Sequence, residues 1–298
     1  PMYHQIILFR VLEAYHLTPS KFKIRSILKE KAVKMLGWTE QMTFKDGSLP
    51  HFNDTTKGIA YPFDTIKRMA DSVNLKVQRI QLKESGYRTF IYQDLKLIAD
   101  LEGIKPSYQP GHAHADTFSF VLHQGLQPII VDPGISTYEI GPRRSWERST
   151  LAHNTLTVDR KNSSDVWAGF RVGKRAKVSI LEDTRNKTTA FHNGYGKVIH
   201  QRSFELFSSG FCIKDQVMGA NSKNLIEARF YLHPSIFPVQ IEENKILLSE
   251  TLSIEFDEFE DLLFEDFLFA EGYNRLRSSK CIVISMKNNL LKTRLILN

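Results

Sequence analysis

The sequence predicts an α+β fold in which a short helical piece precedes a large antiparallel β-sandwich, and two observations carry that expectation. Up to about residue 80, apolar residues recur at the three-to-four spacing of helices with one buried face. From about residue 86 the chain changes to short β-rich runs set apart by glycine, proline or asparagine, with no long helical segment between them. Parallel strands need long crossovers, so these strands are expected to pair antiparallel. The expected domains are residues 1–80 and 81–298.

The elements follow in order. Ile6, Ile7, Phe9, Val11, Leu12, Ala14 and Tyr15 make a first helix that ends before Thr18-Pro19. Ser20 is an N-cap residue type, and Ile24, Ile27, Leu28, Ala32, Met35 and Leu36 behind it mark one buried face of a second helix. A shorter pattern, DTIKRMADSV, gives a third, and DGSLPHFNDT before it reads as a loop. Three helices bury too little area for an independent core, so an apolar face is expected to remain on them. The β-runs are YRTFIY, LKLIAD, TFSFVLH, PIIVD, NTLTVD, AKVSIL, KVIHQRSFEL, ARFYL, TLSIEF and CIVISM.

Composition bounds the function. With 42% hydrophobic and 24% charged residues in 298, the chain has the make-up of a globular protein rather than a disordered or collagen-like one. The densest apolar stretch, Ile6 to Phe9, is broken by Arg10, so no membrane span is expected. Cys212 and Cys281 are expected to be buried apolar residues with one optional disulfide, and they are too few for a cysteine-type zinc site; any metal needs histidine and carboxylate ligands. The opening Pro1-Met2-Tyr3 has no signal-peptide character and reads as the middle of a larger protein. The net charge is +7, but residues 241–266 carry ten acids against Lys245 alone, which leaves +16 elsewhere. A basic body suits a polyanion such as nucleic acid or an acidic polysaccharide, or is an ordinary solvated surface; nucleic acid has only this charge behind it, with no recognition motif.

The chemistry-bearing residues concentrate between 108 and 172. His112, His114 and Asp116 alternate, which on an extended strand sets them on one face, either as a solvated edge or as a site. Asp132 ends an apolar strand before Pro133-Gly134, and His153-Asn154 leads into another. Two imidazoles and a carboxylate at the ends of three neighbouring strands suit zinc, as a closed staple or as an open site that activates water.

The segments GHAHAD, VDPG, RST-x-AHNT and WAGFRVGKRA together resemble the C-terminal β-sandwich of the heparinase II/III-like polysaccharide lyases, a family that includes oligo-alginate lyases. The opening PMYH resembles the end of the (α/α) toroid that precedes this sandwich. The resemblance implies that residues 1–80 are the last part of that toroid, with its upstream helices lying outside this chain. It implies that His112 is an active-site histidine, that Tyr3 is a general acid or base, and that His114, Asp132 and His153 hold one structural zinc. It also implies a further Asn or His, upstream of Tyr3, that neutralises the substrate carboxylate. Periplasmic or secreted localisation accompanies the family.

The implied activity is a carbon–oxygen lyase reaction: β-elimination on a uronic-acid-containing polysaccharide, a glycosaminoglycan or alginate. The reaction needs a base for the weakly acidic proton beside the carboxylate and an acid for the leaving oxygen, roles that histidine and tyrosine can fill. Arg148, Asn154 and Tyr138 are candidate substrate-binding residues; Tyr61 and His51, and Trp146 and Trp167 as sugar platforms, are weaker ones. Two alternatives stand beside the lyase: a non-catalytic carbohydrate-binding or biosynthesis-associated protein that keeps the fold, and a zinc hydrolase.

Overall fold

The N-terminal periodicity folds as α1 (Met2–Leu17), α2 (Ile24–Met42) and α3 (Phe63–Ser72) in a computed structural model that describes residues 1–105 and 107–298. Leu8, Leu12 and Tyr15 of α1 pack on Ala32 and Leu36 of α2 and on Phe63, Ile66 and Ala70 of α3. The second helix begins three residues later than an N-cap at Ser20 predicts, with Lys23 in the N-cap position. Arg25 explains the delay: it donates to the carbonyls of Tyr15 and Thr18 and lies 4.2 Å over the Tyr15 ring, so Pro19–Lys23 is held as a turn that closes α1. Ile24 and Ile27 are consequently exposed rather than buried, as are Ile7, Leu17 and Phe22. None of the described helices is long and apolar enough to cross a membrane.

Strands β1 (Tyr87–Tyr92), β2 (Leu95–Asp100), β3 (Phe120–Gln124) and β4 (Gln127–Ile130) form an antiparallel meander. A short helix, α4 (Pro142–Glu147), then leads to β5 (Leu156–Val158) and to a two-stranded ribbon, β6 (Val166–Trp167) and β7 (Arg171–Val172). The remainder is β8 (Val178–Asp183), β9 (Lys187–Tyr195), β10 (Val198–Phe207), β11 (Gly210–Met218), β12 (Ile226–Tyr231), β13 (Val239–Glu242), β14 (Lys245–Leu247), β15 (Leu252–Asp257), β16 (Phe259–Gly272), β17 (Arg275–Met286) and β18 (Leu290–Leu297). Eight of them make one sheet in the order β13-β14-β15-β18-β11-β10-β9-β8, and the other three join β5 in a second sheet, in the order β16-β17-β12-β5.

One apolar core joins these sheets. Leu97, Phe120 and Leu122 of the meander meet Phe204, Phe211, Ile254 and Leu295 of the large sheet and Phe230 and Ile284 of the smaller one. Every residue of β12 is buried, including Glu227 and Arg229, whose charges are met by Arg160 and Glu265. A second cluster, Trp38, Met42, Phe44 and Phe52 with Leu82, Ile98 and Val121, packs the helical segment onto the meander across the expected boundary at residue 80. Cys212 and Cys281 are both free; Cys281 is buried and Cys212 is partly so.

One expected element is absent. His112 to Asp116 is not a strand but an irregular loop, and β3 starts only at Phe120. Phe118, at φ +69°, turns the chain sharply there, so the alternation argument for a shared face does not hold.

Candidate active site

The site forms where three loops converge. Asp54, in the loop between α2 and α3, donates its backbone N–H to the carbonyl of His112, and the Asn53 side chain accepts the N–H of His114. Met2, at the start of α1, donates to the hydroxyl of Thr55. The helical segment is thereby stitched to the loop that carries both histidines.

At the centre is the buried carboxylate of Asp54. Its Oδ2 lies 2.8 Å from His112 Nδ1 and its Oδ1 lies 2.8 Å from His114 Nε2. Arg144 of α4, fully buried, grips the same two oxygens from the other side at 2.5 and 2.8 Å. Burial alone would raise this carboxyl, but the bonds from His112 and His114 and the Arg144 guanidinium hold it well below the ordinary carboxylate range. His114 is pushed the other way, to about 4, because burial outweighs the pull of Asp54.

His112 faces outward into a cleft, its side chain about half exposed. The Tyr3 ring, from α1, lies 4.4 Å from the His112 ring, and the Tyr3 hydroxyl is 3.1 Å from that of Tyr138. Phe170, in the turn between β6 and β7, meets the His112 ring edge-on at 5.7 Å. The adjoining cavity, about 260 Å³, is lined by Tyr3, Asn53, Tyr87, Asp100, His112 and Asp116 among others. Burial raises the carboxyls of Asp100 and Asp116, helped by repulsion from Asp116 in the first and from Asp132 in the second, which is pushed up to about 6.

His114, Asp132 and His153 also come together. Asp132 follows β4, and its Oδ1 accepts the N–H of Gly134 while Oδ2 sits 2.8 Å from His153 Nδ1. Gly134 is required here: at φ +73° a Cβ would meet His51 Nδ1 at 2.9 Å. The His114 and His153 rings are 5.4 Å apart, and His114 Nδ1 and His153 Nε2 are buried without a hydrogen-bond partner. The donor chemistry therefore suits zinc. The arrangement does not complete the fit, since no three His, Cys, Asp or Glu side chains among the described residues stand where they could hold a metal ion.

Two expected substrate-facing residues turn inward. Arg148 is buried and donates to the backbone carbonyls of Ala113, Trp167, Ala168 and Arg171, so it clasps the β6–β7 ribbon against the His112 loop. Asn154 is buried too: it donates to the carbonyls of Phe120 and Val131 and accepts the N–H of Tyr231, joining the meander to β12. Tyr138 does reach the cleft. Of the weaker candidates, His51 is buried against Phe269, Tyr61 packs on Phe9, Trp146 packs under Arg143, and Trp167 is exposed on the ribbon. Asp54 and Arg144 escaped the sequence reading. Asp54 sits in a loop whose Asn, Asp and Thr are ordinary turn residues, and only the pairing of a loop acid with a distant arginine could have singled it out.

A sequence profile for the family described as Heparinase II/III-like, C-terminal, matches residues 76–295. The chain belongs to this family. Solved structures share the fold of this heparinase II/III-like chain: a heparinase III gene product is 17% identical at a TM-score of 0.76, with 99% of this chain and 51% of that one covered. Heparan sulfate lyase HepC from Pedobacter heparinus is 18% identical at 0.75, covering 100% and 52%, and a second heparinase III is 14% identical at 0.73, covering 99% and 53%. The chain thus spans about half the length of these structures. No curated protein matches the sequence. The profile match begins within the link after α3, yet Tyr3 of α1 forms one wall of the cleft against His112, which lies inside the match.

Proposed function

We propose that this heparinase II/III-like chain forms part of a polysaccharide lyase that cleaves a uronic-acid-containing acidic polysaccharide by β-elimination. The observation that carries the reading is the approach of Tyr3 and His112, from the helical segment and the sandwich, to a ring separation of 4.4 Å at an open cleft. In the elimination the C5–H bond breaks as a base takes the proton, the C4–C5 double bond forms, and the C4–O bond breaks as an acid protonates the departing oxygen. Two groups able to hold or give up a proton at one sugar linkage are what this demands. Tyr138, hydrogen-bonded to Tyr3, adds a polar contact at the cleft. Arg148 serves by holding the loop that displays His112, and Asn154 by joining the meander to β12.

The basic balance outside residues 241–266 favours attraction of a polyanion. Zinc at His114, Asp132 and His153 belongs to the same proposal, supported by the two buried imidazole nitrogens that lack partners; bound there it would brace the loop beneath His112, and no proton transfer depends on it. The test is the full-length protein on heparan sulfate, hyaluronan, chondroitin and alginate, read by the near-ultraviolet absorbance of unsaturated uronate ends. Absorbance that grows with cleavage is expected. Cleavage without it would indicate a hydrolase, and binding without cleavage a non-catalytic carbohydrate-binding protein.

A further inference from the structure

The catalytic reading leaves Asp54 without a role, although its buried carboxylate takes four hydrogen bonds beside the cleft. Its two oxygens accept from three side chains at once: His112, His114 and Arg144. Arg144 also donates to the carbonyl of Gly169 at 3.1 Å, so the guanidinium that fixes Asp54 is itself fixed by the ribbon over the site. A carboxylate pinned this firmly cannot turn to follow a mobile ring. The ring must instead conform to it.

The geometry points to Asp54 as the positioning residue of the site, which sets the tautomer and the aim of His112. This rests on the reading of His112 as a catalytic residue. An ionised carboxylate only accepts hydrogen bonds, so the imidazole nitrogen facing it must carry the proton. With Nδ1–H directed at Asp54, Nε2 is left unprotonated, an acceptor able to receive a proton or a substrate hydrogen bond. The same carboxylate holds Nε2–H of His114, which turns the two histidines of one loop in opposite senses: His112 presents its free nitrogen outward, and His114 keeps its own, Nδ1, buried. One anion thereby couples the half-exposed ring to the buried cluster. Arg144 holds that anion in place without touching either ring's free nitrogen, a division of labour like that of an acid orienting a catalytic imidazole.

Asp54→Asn in the full-length protein tests this. An amide replaces one oxygen by NH2. Because His114 is fully buried and cannot turn to solvent, the amide oxygen is expected to stay on its side and the NH2 to face His112. His112 is then driven to the Nε2–H tautomer, which cannot act as acceptor in the cleft. The expected result is a fall in kcat of roughly 10²–10⁴-fold with KM nearly unchanged, in a protein whose unfolding midpoint shows it to be folded. A purely structural role would lower the midpoint and leave kcat of the folded enzyme as it was, and that outcome overturns the assignment. A second measurement needs no variant: ¹⁵N spectra of histidine-labelled wild-type protein should show His112 protonated at Nδ1 and bare at Nε2. The opposite tautomer overturns the inference even if the Asn variant does not fold. If the wild type cleaves none of the polysaccharides, the lyase reading falls, while the tautomer still decides the positioning claim.

Discussion

Replacing Arg202 by methionine should remove a large share of the sandwich's stability, and the structure says why. Arg202, on β10, is fully buried and forms a bidentate pair with Asp215 of β11 at 2.7 and 2.9 Å. Its remaining nitrogen donates to the carbonyls of Phe118 and Asn154 at 2.8 and 2.7 Å, the two places where the site loops enter the core. Methionine keeps most of the volume but leaves Asp215 with His200 alone, 2.6 Å away, and burial holds that imidazole toward its neutral form. Removing one partner of a buried ion pair costs about 3–5 kcal/mol, against a net stability on the order of 5–15 kcal/mol. The two abandoned carbonyls keep the effect at the upper end of that range. Urea unfolding of the full-length protein, followed through the sandwich transition, measures it. The double variant Arg202→Met, Asp215→Leu should be less destabilised than Arg202→Met alone, because an apolar pair leaves no buried charge. A single variant within about 1 kcal/mol of wild type would refute the reasoning.

Other outcomes follow from the same structure. His112→Ala and Tyr3→Phe, each made in the full-length protein, should lower elimination by about 10²–10⁴-fold while near-ultraviolet circular dichroism stays native. Asn154→Ala strands two carbonyls and one N–H in the core and should lower stability by at least about 2 kcal/mol in urea titration, with substrate affinity little changed in the folded fraction. Stability should also decline as pH falls below about 6.5. Burial depresses His192 and His200, so the unfolded chain takes up protons that the folded one refuses, and each contributes a slope of up to about 1.4 kcal/mol per pH unit. Asp215 adds its own loss only in strong acid: burial raises it, Arg202 and His200 lower it further, to about 2, so its contribution is intact above pH 3.8 and vanishes as pH drops through 2. A urea midpoint that is flat from pH 7 to pH 5 would contradict the histidine part. Elemental analysis of protein purified without chelator should find one zinc per chain, and its loss in His114→Ala would tie the metal to this cluster.

The sequence made the change from helices to strands legible because it is written in periodicity, which local geometry imposes. It hid elements where composition and structure part company. The segment 259–272 lies outside the expected β-runs, its Phe and Leu residues interrupted by acids, yet it is the fourteen-residue edge strand β16; acids on a sheet edge discourage pairing with other chains. Leu291, Thr293 and Leu295 of β18 do alternate inward, with Arg294 turned out to Glu255 and Asp257, a period-two signal present in LLKTRLIL itself. At the site, motif residues with strong chemistry were readable, but their orientation was not. Arg148 and Asn154 look suited to a sugar carboxylate from type alone, and only the fold reveals that backbone carbonyls claim them. Asp54 was invisible for the opposite reason, since its function depends on Arg144, ninety residues away.

If a uronate docks against the contacting Tyr3 and His112 side chains, the structure of full-length His112→Ala protein with a bound uronate-containing oligosaccharide will show it. The expected sugar has its C5 beside the cavity vacated at residue 112 and its C4 glycosidic oxygen within hydrogen-bond reach of the Tyr3 or Tyr138 hydroxyl. A saccharide bound elsewhere, with the Tyr3 face of the cleft empty, would contradict this docking.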